Sequence, residues 1–354
     1  MRLLNRYLFS TIFSSVLMVL MVICALDLLA KFIDELDSIT ERYTFFEVMI
    51  YVSLNIPVSI YRYMPFAALV GGLIGLGSLA ATSELITMRA AGVSLLRITL
   101  SVLKPILLLV IVVVFLAEYV IPAAEQYAEN RRSLKLEGVK SALSSRSGLW
   151  NREGNEFMHF NSVQAKGQLL GITRYRFNDN NQLQATSFAK SAIYINGAWQ
   201  EEGITETVIT ENGTKSQEYL YRPWNVQLSP ALLAILVQDS DNLSISKLYY
   251  YINYLQEQSI DSGRYQLSFW SKVLQPFAII SLVLIAVSFI FGPLREVTMG
   301  YRIFSGVVVG IVFQLTQKLL GPVSLVYGFS PLIAVLIPIT VCFFLGFFLL
   351  FRNR

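Results

Sequence analysis

The chain has 354 residues, of which 54% are hydrophobic and 15% charged, with a formal net charge of +4. Soluble domains carry about 25% charged residues, so the composition excludes a soluble enzyme and a disordered chain. The basic residues form no single patch of the kind nucleic acid requires. Cys24 and Cys342 both sit in apolar runs and His159 is the one histidine, which leaves no disulfide framework and no zinc site of several His or Cys. No phosphate-loop, zinc-protease or serine-hydrolase motif occurs. The chain therefore lacks nucleotide-hydrolysing machinery of its own, and no cofactor is expected to bind it.

A membrane helix needs about 20 apolar residues, and six stretches qualify. They are residues 7–30 (holding Asp27), 63–83, 98–121 (Lys104 and Glu118 near the ends), 273–294, 303–317 and 319–351, the last broken at Gly328, Ser330 and Pro331. The spans come as three, a long gap, then three. The second apolar pattern begins near Val48, with Pro57, Arg62 and Pro65 inside it, and predicts one tilted, proline-kinked helix. The first span is too long for a secretory leader, and Ile23 stands where a lipoprotein box before Cys24 wants a small residue.

Arg2, Arg6, Arg89, Arg97, Arg295, Arg302, Arg352 and Arg354 fall on one set of loop ends. The opposite short loops hold Arg42 among five acids and an uncharged turn at Gly328. The positive-inside trend then predicts cytoplasmic termini and an external 122–265 segment. Three regions follow: 1–121 with the first three spans, 122–265 outside, and 266–354 with the last three.

The external region starts helical over 119–137. After Trp150 it changes to short alternating runs at 172–177, 192–195, 206–209 and 218–221, separated by Asn178-Asp179-Asn180-Asn181, Asn196-Gly197 and Asn212-Gly213. Asn-Gly between alternating runs signals a hairpin, so the region reads as antiparallel β, a small sandwich or jelly roll. Helix returns over 244–258. A sheet edge there is either covered or available for strand addition to a partner.

Gly71 to Gly77 is glycine-rich, but no strand precedes it, and small residues admitting a neighbouring helix explain it better; residues 306–310 repeat the spacing. Residues 82–92 read T-S-E-L-I-T-M-R-A-A-G. Thr82 or Ser83 can cap a helix, Glu84 lies in its first turn and Gly92 can end it. Leu85, Ile86 and Met88 give apolar contacts. Helices that lie on lipid headgroups usually carry several Lys or Arg, and only Arg89 is present, so docking to another protein is the favoured reading. Lys31, Arg62, Arg131 and Arg132 lie at or beyond the outer ends of spans. Such cations either snorkel and pair with acids or hold an anionic lipid headgroup. Asp27 and Glu118 are expected to pair with cations. His159 reads as an ordinary strand residue.

Seven segments together resemble the LptF/LptG family of lipopolysaccharide export permeases. They are Y-L-F-S-T-I-F, A-K-F-I-D-E-L, M-P-F-A-A-L-V-G-G-L-I-G-L-G, S-E-L-I-T-M-R-A-A-G, R-Y-Q-L-S-F-W-S-K-V-L-Q-P, S-F-I-F-G-P-L-R and G-P-V-S-L-V-Y-G. The last three are closest to the G-type half, and the resemblance spans essentially the whole chain. It implies one transmembrane half of an ABC transporter in a bacterial inner membrane, with LptF as the other half. It further implies an LptB dimer that uses ATP and Mg, an LptC anchor, an LptA periplasmic bridge and a jelly-roll-like periplasmic domain.

Lipopolysaccharide would enter from the outer leaflet, through a gate between span one and the partner's span five. Glu84, Leu85, Met88 and Arg89 would then couple to the ATPase. Lys31 and Arg132 match family cations and would meet the headgroup, with Arg131 beside them on the residue reading and Arg62 replacing a family lysine whose place is taken by Val58. Glu129, Asp37 and Ser38 stand where the family carries further basic residues, so the cationic rim is thinner here. The apolar faces of spans one, two and five would line the cavity, and the lipid would leave upward into the β domain. A membrane-anchored scaffold and a proton-driven secondary transporter are the rival readings. The second lacks midplane charges in spans four to six.

Overall fold

The computed structural model describes residues 2–141, 148–163, 168–195, 197–210, 213–236, 238–258, 260–292 and 297–352. Arg295, Arg354, Asn196 and Asn212 lie outside the described residues. Among the described residues, six helices are long and apolar enough to cross a membrane. The first is α1 (Arg2–Leu36). The second pattern divides into α2 (Phe45–Leu54) and α3 (Ile56–Ala81). A single kinked helix was expected there; the chain instead breaks at Asn55. Pro57 has no N–H to continue the ladder, and the Asn55 side-chain amide donates to the Tyr51 carbonyl at 3.0 Å, satisfying an acceptor at the break.

After the short α4 (Glu84–Ala90) comes α5 (Leu95–Phe115), a π-helical turn over Leu116–Val120, and α6 (Ile121–Ser141), which carries the third span well beyond the apolar run. Six strands follow: β1 (Leu149–Glu153), β2 (Glu156–Val163), β3 (Gln168–Phe177), β4 (Leu183–Ile195), β5 (Ala198–Thr210) and β6 (Gly213–Trp224). Then come α7 (Pro230–Leu236), a 3-10 turn at Ser240–Asn242, α8 (Ile245–Glu257), and the last three spans α9 (Gly263–Phe291), α10 (Met299–Tyr327) and α11 (Pro331–Arg352). Gly328, at φ 72°, ends α10 in the left-handed region that suits glycine.

In the membrane core α3 and α9 are the most buried spans, while α1 and α10 keep most of their apolar surface exposed. The glycines set the spacing. A Cβ on Gly71 would lie 2.5 Å from the Val16 Cα of α1, and one on Gly306 would lie 2.4 Å from Leu73 of α3. The expected role of these small residues, close helix approach, is thus the observed one.

The six strands pair antiparallel in chain order. Each alternating run read in the sequence lies inside a strand. The second layer is helical: Met158, Phe160, Leu169, Ile172, Trp199 and Trp224 pack against α7 and α8 through Leu232, Leu233, Leu248 and Tyr251. Strand β6 is an open edge, with residues 213–221 exposed.

The same inward face of the sheet carries charge further along. Arg174 reaches Glu201 at 2.8 Å and Glu156 at 3.0 Å, while Arg222 reaches Glu201 at 3.2 Å and Glu206 at 2.9 Å. Glu201 is fully buried. Burial pushes its carboxyl up and the Arg174 guanidinium down, against their mutual attraction. A cavity of about 270 Å³ opens beside these groups, lined by Arg174, Arg176, Glu156, Glu206, Arg222 and Trp224. Acyl chains would there meet ion pairs, and separating charges away from water is costly.

Two outcomes are expected. Gly71→Val should lower stability in detergent by about 1–3 kcal/mol through overpacking, whereas Gly72→Ala, whose Cβ meets only Ala286 at 3.4 Å, should be tolerated; thermal unfolding separates them. Glu201→Ala leaves Arg174 without its buried partner and should cost about 3–5 kcal/mol, with Glu201→Gln costing less. The fluorescence of buried Trp199 and Trp224 reports that transition.

Candidate substrate rim and docking helix

At its C-terminal end α1 presents Asp27, Lys31 and Glu35 every four residues, and so along one face. The Lys31 ammonium lies 3.0 Å from Asp27 Oδ2 and donates to Ser59 Oγ at 3.0 Å. Ser59 and Tyr63 of α3 donate to the two Asp27 oxygens at 2.5 and 2.7 Å. Lys31 is thereby held between spans one and two, with its side chain a quarter exposed. The expected pairing of Asp27 with a cation is the observed one.

Helix α6 brings the remaining cations. Arg132 Nε donates to Glu35 Oε1 at 2.6 Å, and its guanidinium lies 5.5 Å over the Tyr51 ring. Arg131 donates from Nε and Nη2 to both oxygens of Glu47, at 2.6 and 3.2 Å. Lys135 adds a second cation to that carboxylate at 3.3 Å. Hydrogen bonds from Arg131 hold the Glu47 carboxyl below the usual carboxylate range. Arg62 is exposed and forms no ion pair with a described residue. The four cations singled out in the sequence therefore gather at one end of spans one to three, opposite α4, and three of them are paired with carboxylates.

Glu118 departs from expectation. It pairs with no cation among the described residues. Its carboxylate instead accepts from the Ile245 N–H at 2.9 Å and from the Ser246 hydroxyl, capping α8 from the π-helical turn of span three. Span four holds the same connector from the other side. There Lys272, buried, donates to the Leu243 carbonyl at 2.6 Å, and Ser268 donates to Asp241 at 2.7 Å. Sequence reasoning passed over Lys272 because the apolar run was read from Val273 onward. It passed over Glu47 as a partner because a cation 84 residues away leaves no local signal.

The other end of α3 leads into α4. Ser83 occupies the left-handed region at φ 61°, and its side chain forms no cap. The Thr82 hydroxyl donates instead to Glu84 Oε1 at 2.8 Å, and the Tyr7 phenol of α1 lies within electrostatic reach of the same carboxylate. Gly92 ends the helix at φ 84°, with Val93 N–H donating to the Met88 carbonyl at 3.1 Å. Leu85 and Met88 are buried in the membrane core, so their side chains seat the helix. Ile86, 53% exposed, and Arg89 form its outer face, with Glu84 half-buried at one end. The apolar line expected to dock is thus split between an inner and an outer face, as the 3.6-residue period requires.

Of the spans expected to line a lipid cavity, α1 and α10 expose broad apolar faces, Leu17, Met18, Met21, Val312 and Leu315 among them. Most of α3 is buried behind them.

Six spans, an antiparallel β domain inserted between the third and fourth, a charged rim at one end and a short surface helix at the other define a polytopic permease half. A profile of the lipopolysaccharide export system permease LptF/LptG family matches residues 6–352. The lipopolysaccharide export system permease protein LptG of Escherichia coli K12 is 37% identical over 99% of this chain and 98% of its own length. The protein of the same name from Haemophilus influenzae is 34% identical over 99% of each. The chain belongs to the LptF/LptG family and is a permease subunit of the lipopolysaccharide export system.

The ion pairs predict unequal costs. Arg132→Gln leaves Glu35 facing a low-dielectric interior and should cost about 1–3 kcal/mol, below the fully buried case because the pair is partly exposed. Arg62→Gln should change stability by less than about 0.5 kcal/mol. Melting temperatures of the purified complexes compare the two.

Proposed function

We propose that this chain is the G-type half of an ATP-driven exporter that lifts lipopolysaccharide from the outer leaflet of the inner membrane and hands it to a periplasmic bridge. In this reading its partners are an LptF half, an LptB dimer, the LptC anchor and LptA. The LptB subunits bind ATP and Mg; this chain breaks no covalent bond. Both termini are cytoplasmic and the β domain is periplasmic.

The observation that carries the proposal is the place of Glu84 at the junction of two spans. Its carboxylate accepts from Thr82, at the end of span two, and lies within electrostatic reach of Tyr7, near the start of span one. The other ends of the same two helices hold Lys31, Asp27, Ser59 and Tyr63. At 1.5 Å per residue, Ser59 and Thr82 lie about 35 Å apart along α3. A push on α4 by closing ATPase subunits therefore reaches the helix pair that carries the rim. Lys31, Arg62 and Arg132 hold the lipid phosphates by charge-assisted bonds. The exposed apolar faces of α1 and α10 meet the acyl chains. Movement of α1 against α3 narrows that space and expels the lipid. Ile86 and Arg89 face the ATPase, and Leu85 and Met88 transmit the load inward.

Purification of the tagged chain in mild detergent, with subunit stoichiometry by mass spectrometry, tests the assembly. Two ATPase subunits and one different permease per chain support it. The chain alone, under conditions where the partners are expressed, overturns it. Glu84→Arg should abolish lipid transport while leaving the melting temperature of the chain nearly unchanged; full transport by that variant would remove the coupling role.

A further inference from the structure

Arg131 and Arg132 are neighbours in the sequence, yet their donors are used differently. On Arg131, Nε and Nη2 grip both Glu47 oxygens, and Nη1 donates to the Tyr127 hydroxyl at 3.1 Å. Each nitrogen of that guanidinium already has an acceptor inside the chain. A bidentate Arg–carboxylate pair fixes direction as well as distance. Arg132 meets Glu35 through Nε and rests on the Tyr51 ring.

Glu47 and Tyr51 are one helical turn apart on α2. That helix has ten residues, too few to hold its shape without tertiary support. Its apolar seat is small: Tyr43, Val48 and Val52 pack with Leu28, Phe32, Tyr51 and Leu136. The Arg131–Glu47 pair is therefore a main restraint on where α2 lies against α6, and so on where the Tyr51 ring lies. A phosphate that took Arg131 would have to displace a carboxylate that is buried, and leave it with Lys135 alone.

We infer that Arg131 is a positioning residue: with Glu47 it clamps α2 to α6 and holds Tyr51 beneath Arg132, the arginine that meets the anionic lipid headgroup. This rests on the reading of the rim proposed above. It removes Arg131 from the headgroup contacts suggested by the sequence and gives Glu47, Tyr51 and Arg131 a shared task.

A buried ion pair has a property that a ligand contact lacks. Removing one partner is costly, whereas replacing both by apolar side chains of similar volume is often neutral. The test uses the full transporter complex and bisphosphorylated lipid A as probe, with dephosphorylated lipid A as the control. Arg131→Met should weaken binding of the phosphorylated probe by about tenfold, the scale of one lost charge-assisted bond. Arg131→Met combined with Glu47→Leu should restore binding to within about twofold of the unaltered complex. Should the apolar pair lower the melting temperature, Arg131→Gln with Glu47→Gln, which keeps a hydrogen bond, is judged by the same criterion.

A folded double variant that binds as weakly as Arg131→Met overturns the inference, because the guanidinium itself is then needed at the lipid. Arg132→Gln should weaken binding of the phosphorylated probe alone. If Arg132→Gln, Lys31→Gln and Arg62→Gln each bind both probes as the unaltered complex does, the rim reading itself fails, whatever the double variant does.

Discussion

The seam between α1 and α3 organises the molecule. Gly71 lets the α1 backbone come to a distance at which even a methyl group would clash with the Val16 Cα. Without water to drive apolar helices together inside a bilayer, such close packing is a principal source of association. The seam then brings two sets of polar groups into register. At one end Ser59 and Tyr63 reach Asp27 and orient Lys31; at the other, Tyr7 of α1 lies within electrostatic reach of Glu84. One pair of packed helices thus joins the cationic rim to the base of α4.

The rim follows from the expense of charge near a low-dielectric medium. Lys31, Arg131 and Arg132 each have a carboxylate within 3.0 Å, so the substrate-free protein meets the membrane with little uncompensated charge. Such pairs add little net stability. Their value here is geometric, because each joins two different helices or fixes a side chain on a helix face. In the reading proposed above, cations whose positions are already set lower the ordering cost of binding a phosphate.

The β domain applies the same rule in another setting. Its inward face is apolar where α7 and α8 cover it and charged where Arg174, Arg222, Glu201 and Glu206 meet. Two anchors join it to the membrane spans: Glu118 caps α8 from span three, and Lys272 holds the Leu243 carbonyl from span four. The two spans that lead into and out of the domain are therefore tied to the same connector.

Much of this was legible in the sequence. Hydropathy alone located the six spans, since every span must satisfy its backbone internally and cover about 30 Å of hydrocarbon. Alternation and turn chemistry located the strands, and the glycine spacing anticipated close helix contacts. The segment 82–92 was readable as a surface helix ended by Gly92. What the sequence could not decide was pairing. It placed Arg131 and Arg132 together as equals, because one residue of separation carries no information about partners on other helices. Only the tertiary structure gave Glu47 to one and Glu35 to the other, turned Leu85 and Met88 inward, assigned Glu118 to a helix cap, and filled part of the β domain's interior with ion pairs. Local periodicity is written within a few residues, but the partner of a buried charge is chosen by whichever distant element the fold brings within about 3 Å.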